Sequence, residues 1–417
     1  METLAQEAFA ATLSVSIKIV FAVAIISLPF ILAKWFWSVW IEYVRAEFFA
    51  KQKYVVIECH LPKGVVKPPL AMEIVITSMF QTGGESNWLQ KFWEGSSRPW
   101  FSLEMASIDG QVHFYIWARE KFKEMIETQL YSQFPDIEID EVTKEDYATR
   151  MNFDPEKNQY WGCEFKKTGP SHLPIKTYVA YQGMSTSSDK EEGKIDPITP
   201  VIEYLGSLKK GEQVWIQICI RAHTKSKPKP GTWFEKIDWK YDAEKDLIKR
   251  TKRDIKVDKD NPNLSVVTMT KGEKDAVDAI ENNLGKLPFD CGIRAIYVAE
   301  KDAFRGTTQA GLAGVLRHFG TPNLNSFKPD GVPGFDYPWQ DFSGKKTMKQ
   351  KKKIFELYQY RSFFMPEYIP KGYKKDPFVM TTEELATIYH YPGQVARTPN
   401  LARISAKKVE PPTNLPI

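Results

Sequence analysis

Residues 98–119 read RPWFSLEMASIDGQVHFYIWAR, and this stretch decides the fold class of the region that follows the N-terminus. Apolar and polar residues alternate on both sides of residues 109–110, which is the period of a half-buried β-strand. The Asp-Gly dipeptide between them favours a tight two-residue hairpin turn. The stretch therefore predicts two antiparallel strands. The residues expected on or near the sheet are Val56, Phe101, Leu103, Phe114 and Ile116.

The segments on either side extend the hairpin into one unit. The patterns predict a strand at 53–61 and a helix at 68–83 before it, then a helix at 120–135 and a strand at 136–142 after it. Strand, helix, strand, strand, helix, strand is the order of the ferredoxin-like split βαβ, which places its helices on one face of an antiparallel sheet. We therefore expect a ferredoxin-like domain over residues 51–145.

A second α/β domain is expected over residues 146–327. Asp196 and Pro197 have the residue types of a helix N-cap and first turn. Residues 224–260 mix charges of both signs, which predicts a solvated helix. The predicted strands are 174–182, 212–222 and 292–300, and the predicted helices are 196–208, 273–285 and 307–319.

The region 328–417 has a different texture, because eleven of the 27 prolines of the chain lie there. We expect a proline-rich tail with short helices. One such helix is TTEELATIYHYPG at 381–393, where Thr381 or Thr382 is the expected cap. Glu383 and Glu384 then favour the helix dipole and, being adjacent in sequence, cannot face each other as an acid–base pair. The expected fold class is thus α+β.

The N-terminal region contains one long apolar run. Residues 19–33 read IVFAVAIISLPFILA without a charge, and only three charged residues lie between residues 13 and 44. About 20 helical residues cross a hydrocarbon layer roughly 30 Å thick. We expect a single transmembrane helix within residues 1–50, which Pro29 kinks without breaking. The residues expected at the membrane interface are Lys18 at one end and Trp35, Trp37 and Trp40 at the other.

Two other interpretations of this run stay open. A cleaved signal peptide needs small residues after its apolar core, whereas the bulky KWFWSVW at 34–40 follows here. The run is also longer and more uniformly apolar than a buried core helix usually is. Arg45, Lys51 and Lys53 follow the run, and the positive-inside rule places this flank in the cytoplasm. The expected location is the plasma (inner) membrane of a bacterium, with the N-terminus outside and the soluble domains in the cytoplasm.

The sequence lacks the motifs of common catalytic and metal sites. The spacings Gly206–Gly211 and Gly306–Gly311 lack the lysine of a phosphate-binding loop. His60 and His113 fall in predicted strands, where we expect hydrogen-bonded structural roles. We therefore predict no catalytic residue, no cofactor and no metal, and a protein that is not an enzyme. Free thiols in a reducing compartment are expected for the dispersed cysteines, which are Cys59, Cys163, Cys219 and Cys291.

A run of six lysines lies in KKTMKQKKKIFELYQYRSFF at 345–364. Such a cluster can contact a nucleic-acid backbone or an anionic membrane leaflet. The other interpretation is a solvated basic helix whose Met348, Phe355 and Tyr358 pack inward. The six basic residues are Lys345, Lys346, Lys349, Lys351, Lys352 and Lys353.

Three segments resemble a known group of proteins. They are IDPITPVIEYLGSLKKGEQVWIQI at 195–218, GTPNLNSF at 320–327, and TTEELATIYHYPG at 381–393 with TPNLARISAKKVEPPTNLP at 398–416. They look like the non-catalytic N-terminal part of conjugation-type, type IV secretion ATPases. In that group the Glu-Leu-Ala-Thr helix and the Pro-Pro-x-Asn-Leu-Pro segment immediately precede a RecA-like motor domain. This sequence ends at Ile417, so the expectation is that the motor is a separate polypeptide.

The resemblance implies a function. We expect a membrane-anchored, non-enzymatic adaptor of a type IV secretion or conjugation-like machine that docks a separately encoded ATPase. The apolar anchors expected for docking are Leu385, Ile388, Tyr389 and Tyr391. The other interpretation is that these four side chains pack onto the second domain of the protein itself. A different class stays open, namely a membrane-tethered module in which the lysine run binds nucleic acid or anionic lipid. DNA and a second copy of the chain are further partners that the sequence allows.

Overall fold

The computed structural model of the chain describes most of its 417 residues and defines two compact units. Unit 1 comprises Met1–Gln52 and Gly83–Ser97, and unit 2 comprises Lys53–Thr82 and Arg98–Ile417. The described residues are 2–62, 67–85, 87–142, 145–182, 195–224, 227–228, 236–252, 255–257, 265–267, 269–365, 375–393 and 403–404.

Helices and strands are numbered here in chain order. The helices are α1 (Glu2–Ala50), α2 (Pro69–Ser78), α3 (Trp88–Phe92), α4 (Lys123–Gln133), α5 (Tyr178–Gln182), α6 (Thr199–Gly206), α7 (Trp239–Lys252), α8 (Lys271–Leu284), α9 (Gly306–Gly314), α10 (Lys345–Gln359) and α11 (Thr382–Ile388). The strands are β1 (Tyr54–Pro62), β2 (Trp100–Ile108), β3 (Gln111–Arg119), β4 (Glu138–Glu141), β5 (Asn158–Lys167), β6 (Glu212–Ala222), β7 (Lys227–Pro228), β8 (Lys236–Ile237), β9 (Ile255–Val257), β10 (Ser265–Val267), β11 (Pro288–Glu300), β12 (Phe327–Asp330), β13 (Phe378–Thr381) and β14 (Arg403–Ile404).

Unit 1 is built on α1, which continues through Pro29 without a break, as expected. The stretch Ser16–Ala50 is long and apolar enough to cross a membrane. Within the described residues none of its apolar window is buried, which argues against the core-helix interpretation. The short helix α3 is the second element of this unit.

Unit 2 contains a large antiparallel sheet whose first half confirms the predicted hairpin. β2 and β3 pair from Ser102 opposite Trp117 to Ile108 opposite Gln111. Asp109 and Gly110 both have positive φ, of 54° and 84°, which is the backbone of a type I′ turn. β1 pairs antiparallel with β3 on one side and with β4 on the other. The four strands therefore lie in the order fourth, first, third, second.

The second half of the sheet repeats this order. β5 pairs antiparallel with β11 on one side and β12 on the other, and β11 pairs antiparallel with β6. The strands β5, β6, β11 and β12 thus lie in the same relative order as β1, β2, β3 and β4. β2 and β6 join the halves into one sheet, with Glu104 opposite Gln217 at the middle of the shared ladder. The four strands of the first half lie within the region 51–145, and those of the second half lie within 146–327 except β12, which begins at Phe327 and ends at Asp330. The two regions expected as separate domains therefore share one sheet.

One face of this sheet carries the apolar core of unit 2. Alternate residues of the strands, such as Leu103, Ile116, Ile218 and Ile293, are fully buried there. Apolar side chains of α2, α4, α6, α9 and α11 belong to the same core. The five residues expected on or near the sheet lie on its strands and are buried.

The opposite face mixes polar side chains with buried aromatic ones such as Trp100, Trp117 and Trp215, and is covered in part by α10. Gln217 donates to Glu104 at 3.1 Å and to the carbonyl of Tyr358 at 3.0 Å. The guanidinium of Arg361 donates to both carboxylate oxygens of Glu104, at 2.8 and 3.0 Å, and lies 2.9 Å from Asp146. Arg361 has a φ of 51°, a conformation that costs a non-glycine residue energy. Its paired charges offset the desolvation that burial imposes on the two carboxylates.

Two details of the predicted second domain are wrong. The stretch 174–182 was expected to be a strand because it is rich in β-branched and aromatic residues, but it contains α5. Tyr178 and Tyr181 are three residues apart and both buried, which is the spacing of one helix face. β5 was not expected, although it pairs along its length with β11. The strands 212–222 and 292–300 are confirmed as β6 and as part of β11.

Part of the predicted tail belongs to the core. β13 pairs antiparallel with β11, from Pro288 opposite Thr381 to Cys291 opposite Phe378. α11 follows directly and is buried over most of its length. β14 pairs in parallel with the end of β1. The remaining residues of this region, 366–374, 394–402 and 405–417, lie outside the described part of the chain.

We predict an acid-dependent loss of stability from Glu212. Although burial raises the pKa of this carboxyl, hydrogen bonds from Arg305, from the hydroxyl of Tyr297 and from the backbone N–H of Lys209 lower it to about 2. A lowered folded-state pKa stabilises the fold above the ordinary value of 4.5, and this contribution disappears as the pH falls from about 4.5 to 2.

Glu212→Gln should therefore unfold at lower denaturant concentration than the unchanged protein at pH 7. The difference in the free energy of unfolding should shrink between pH 4.5 and 2. Denaturation followed by tryptophan fluorescence measures it, with Glu281→Gln on the exposed side of α8 as the control. A difference that stays constant over this pH range would contradict the assignment.

Candidate functional site

The first candidate surface is the exposed side of α1. Its apolar side chains from Ile17 to Val39 are largely exposed, as a lipid-facing helix requires. Of the residues expected at the membrane interface, Lys18, Trp35 and Trp37 are exposed, and Trp40 is partly covered.

The tryptophans of α1 have aromatic partners within unit 1 that were not predicted from the sequence. The ring of Trp37 stacks on that of Trp88, with 6.4 Å between centroids, and Trp40 contacts Trp93 at 5.2 Å. The indole N–H of Trp40 donates to the carbonyl of Phe92 at 3.0 Å. The aromatic content of 88–93 was a usable signal, but nothing in the sequence indicated that this segment packs on α1.

The second candidate surface is the N-terminal part of α10. Of the six lysines, Lys345, Lys346, Lys349 and Lys352 are exposed, whereas Lys351 and Lys353 are half-buried. Burial lowers the pKa of Lys351. Lys352 and Lys353 lie 3.9 and 3.4 Å from carboxylate oxygens of Glu356 on the same helix.

The other interpretation of α10, a helix with an apolar inner side, is correct in part. Phe355 and Tyr358 are buried, as expected, but Met348 is exposed. Aromatic side chains precede the lysines and were missed. Tyr337 and Trp339 stack at 4.6 Å and are exposed, and Phe342 is 86% exposed. Lys346 lies 5.9 Å from the ring centroid of Phe335. Exposed aromatic rings therefore adjoin exposed lysines.

The third candidate was the docking helix, and here the expectation needs a correction. Leu385, Ile388, Tyr389 and Tyr391 are buried in the apolar core of unit 2. Tyr391 packs edge-on against Phe114 at 5.3 Å. A side chain without exposed surface presents nothing to a partner, so these four residues are not docking anchors in the folded chain. They pack onto the protein itself, but the contacts of Tyr389 and Tyr391 are with Phe114, Tyr115 and Phe134 of the first half of the sheet and not with the second domain that the other interpretation named.

The N-terminus of α11 is fixed by buried charges. Thr381, one of the two expected caps, is the N-cap residue and forms a capping box with Glu384. The carboxylate of Glu384 is fully buried and accepts from Lys167 at 2.7 Å and from the backbone N–H of Ile175 at 3.0 Å. Lys167 also donates to the carbonyl of Val379 at 2.9 Å. Removing either partner would leave an unpaired buried charge, which is strongly destabilising.

A second polar contact holds the C-terminal end of this region. The two ring nitrogens of His390 face acceptors, the carbonyl of Ala386 at 2.8 Å and the carboxylate of Asp196 at 2.7 Å. The backbone N–H of Gly393 donates to the other oxygen of Asp196 at 3.0 Å. Burial alone would raise the pKa of Asp196. The hydrogen bond and the charge of His390 have a larger effect in the opposite direction, so the pKa is lowered. The predicted N-cap Asp196 thus anchors the chain after α11, while Ile198 is the N-cap residue of α6.

The histidines and cysteines considered in the sequence make structural contacts or are buried. His60 and His113 lie beside the carboxylate of Glu58 on adjacent strands, with His113 at 2.7 Å. The four cysteines are free and buried, and burial raises the pKa of Cys59 and of Cys219 to about 12. Among the described residues, no group of three or more His, Cys, Asp or Glu side chains is placed to hold a metal ion.

A comparison with family models places the chain. Residues 69–403 match the family described as Domain of unknown function (DUF8128). The chain belongs to this family. The DUF8128 match runs from α2 to the first residue of β14, so it includes α3, α10 and α11 and leaves α1 outside. No curated protein matches the chain.

The burial of α11 in this DUF8128 chain gives a direct prediction. Leu385→Ala should lower the free energy of unfolding by roughly 2–5 kcal/mol, because it leaves a cavity in the core. Leu70→Ala makes the same chemical change at a residue of α2 that is 48% exposed, so its effect should be within about 0.5–1 kcal/mol. Chemical denaturation of both variants measures the difference. Equal effects would show that Leu385 is not a core residue.

Proposed function

We propose that this chain is a membrane-anchored, non-enzymatic adaptor of a type IV secretion or conjugation-like translocation machine. In this proposal α1 spans the plasma membrane and unit 2 holds a separately encoded RecA-like ATPase. The exposed apolar surface of α1 supports the anchor. The resemblance of residues 195–218, 320–327 and 381–416 to the region that precedes the motor supports the partner.

The proposed orientation places unit 2 in the cytoplasm. A basic flank follows the apolar run of α1 and consists of Arg45, Lys51 and Lys53. The positive-inside rule assigns such a flank to the cytoplasmic side. The free, buried cysteines are compatible with a reducing compartment.

We also propose that each half of the sheet is a ferredoxin-like unit and that the two arose by duplication. The strand order fourth, first, third, second in both halves supports this. The crossover segments also correspond, since α2 and α6 precede the second strand of each half, and α4 and α9 follow the third.

The observation that carries the adaptor proposal is the way α11 is fixed. Lys167 and Glu384 hold its first turn, and Asp196 holds His390 and Gly393 just after it. In the proteins that the chain resembles, this same segment leads into the motor. A fixed exit point at Gly393 would give a bound motor a defined position on the sheet, which loose tethering does not.

Co-purification from membranes tests the proposal. The full-length protein and the RecA-like secretion ATPase of the same organism are co-expressed, and binding is measured after extraction into detergent. Deleting residues 405–417 keeps β14 but removes the segment that resembles the lead into the motor, so we expect ATPase binding to fall at least tenfold. Lys271→Gln with Lys274→Gln, both exposed on α8, is the control. Unchanged ATPase binding after the deletion would refute docking by this segment.

A second candidate function rests on the surface around α10. Single-stranded nucleic acids bind where aromatic side chains stack with bases beside a basic groove. Trp339 and Phe342 are exposed and precede the exposed Lys345, Lys346 and Lys349 by three to ten residues. Lysines alone attract the phosphate backbone, whereas exposed aromatic rings can also stack on the bases. Stacking of one base on an aromatic side chain is worth about 1–3 kcal/mol.

Fluorescence anisotropy with a labelled single-stranded oligonucleotide tests the second candidate on the full-length protein in nanodiscs. Trp339→Ala with Phe342→Ala should weaken binding by about tenfold or more. Lys345→Gln with Lys349→Gln should weaken it and also reduce its dependence on salt, because fewer counterions are released. Lys271→Gln with Lys274→Gln removes the same charge elsewhere. Should only anionic lipid in the nanodisc bind this surface, the oligonucleotide affinities of all three variants would match the parent.

A further inference from the structure

A short segment of the chain leaves unit 2 and joins unit 1. The chain ends α2 at Ser78 and enters β2 at Trp100, and between them Gly83–Ser97 cluster with α1. In the second half of the sheet the corresponding connection, between Gly206 at the end of α6 and Glu212 at the start of β6, is only residues 207–211. The segment is therefore an addition to one half, and it needs a reason of its own.

The backbone of this segment approaches the backbone of α1 closely. Gly95 has a φ of +65°, and a Cβ atom added there would lie 2.2 Å from the carbonyl oxygen of Val44. Only glycine fits this approach. Together with the hydrogen bond from Trp40 to Phe92, it fixes α3 beside the aromatic end of the apolar run of α1.

The outer side of the segment is apolar and open. Trp88 is 61% exposed, Leu89 54% and Trp93 59%. On α1, Trp35 and Phe36 are exposed as well. Exposing large apolar side chains to water is unfavourable, so this set favours an apolar environment over water.

The chemistry of these side chains selects one environment. Tryptophan prefers the boundary between lipid headgroups and acyl chains, where its ring is buried and its N–H stays near water. The segment also offers Lys91 and the exposed Glu94, which suit the headgroup side of that boundary. Continuity with the apolar surface of α1 favours the bilayer as the occupant.

We propose that residues 88–93 form a second membrane contact, in which Trp88, Leu89 and Trp93 lie at the headgroup boundary of the leaflet that contains Trp35 and Trp37. This contact would fix the depth and rotation of α1 in the bilayer. The inference rests on the proposed membrane anchoring by α1, and it goes beyond that proposal because it assigns a membrane role to a segment between α2 and β2.

Site-directed spin labelling in nanodiscs tests the inference on the full-length protein. The native thiols are buried and burial raises their pKa, so an added surface cysteine is the reactive one. Leu89→Cys is compared with Val23→Cys within the apolar run and Tyr131→Cys on the exposed side of α4. Collision rates with oxygen, which concentrates in lipid, and with a water-soluble nickel complex report the depth of each label.

The inference predicts lipid-like collision rates at residue 23, water-like rates at residue 131 and intermediate, interfacial rates at residue 89. Water-like rates at residue 89 with lipid-like rates at residue 23 would overturn the inference and leave the anchor proposal standing. Water-like rates at all three residues would overturn both. Protection of residue 89 from both reagents, with dipolar broadening between labels, would show a second copy of the chain on this surface and would also overturn the inference.

A second measurement follows the consequence for α1. Trp88→Ala with Leu89→Ala removes exposed side chains, so folding of unit 2 should be unchanged. The spin label at residue 23 should then show faster reorientation and a broader range of depths than in the parent. Tyr131→Ala removes an exposed aromatic side chain from α4 and should change neither value. Identical spectra for the double variant and the parent would contradict the proposed role in positioning α1.

Discussion

The pairing of β2 with β6 is the constraint on which the architecture of unit 2 depends. This antiparallel ladder joins two four-stranded halves, and at its middle pair the side chain of Gln217 donates a hydrogen bond to Glu104 across the junction. The same Glu104 pairs with Arg361, so the segment after α10 is tied to the seam as well. On the other face Leu103 and Ile218 are fully buried in one continuous core. A shift of this ladder by one residue would turn Glu104 into that core and Leu103 into the polar face, so packing on both sides specifies the register.

How much of the fold could be predicted from sequence depended on local signals. The alternation in 100–108 and 111–119 with Asp109-Gly110 between them predicted β2, β3 and their turn, because hairpin geometry is set by neighbouring residues. The strand β5 was not predicted, because its residue Glu164 is buried through a contact that only the tertiary fold supplies. The guanidinium of Arg294 donates to the carboxylate of Glu164 at 2.8 Å. The stretch 174–182 has strand-like composition, but tertiary packing of its two tyrosines overrides that propensity. The repeat of the two halves was hidden because their connections differ so much in length.

In the candidate surfaces too, features set by the local sequence were predictable and features set by tertiary contacts were not. The lysines of α10 and the apolar run of α1 were predictable, because charge runs and long apolar runs are properties of the sequence itself. The role of Leu385 and Tyr389 was not, since an apolar helix face looks the same whether it packs on its own chain or on a partner. The cap at Thr381 was predictable as one of two local choices, but the ion pair of Glu384 with Lys167 joins residues far apart in the chain. Likewise Trp88 and Trp93 were visible as aromatic residues, while their contact with Trp37 and Trp40 depends on how the chain returns to α1.

The route of the chain between β1 and β3 also sets an order of events on the ribosome. Within the described part of the sheet, β1 pairs with β3, β4 and β14, all of which are made after it, and β2 must also wait for β3 or β6. About 50 residues separate the end of β1 from β3, which takes on the order of 3–10 s at the usual pace of synthesis. Both parts of unit 1, α1 and the segment 83–97, have emerged before that interval ends. The ring contacts of Trp37 with Trp88 and of Trp40 with Trp93 can therefore form while the sheet still has no completed strand pair among the described residues.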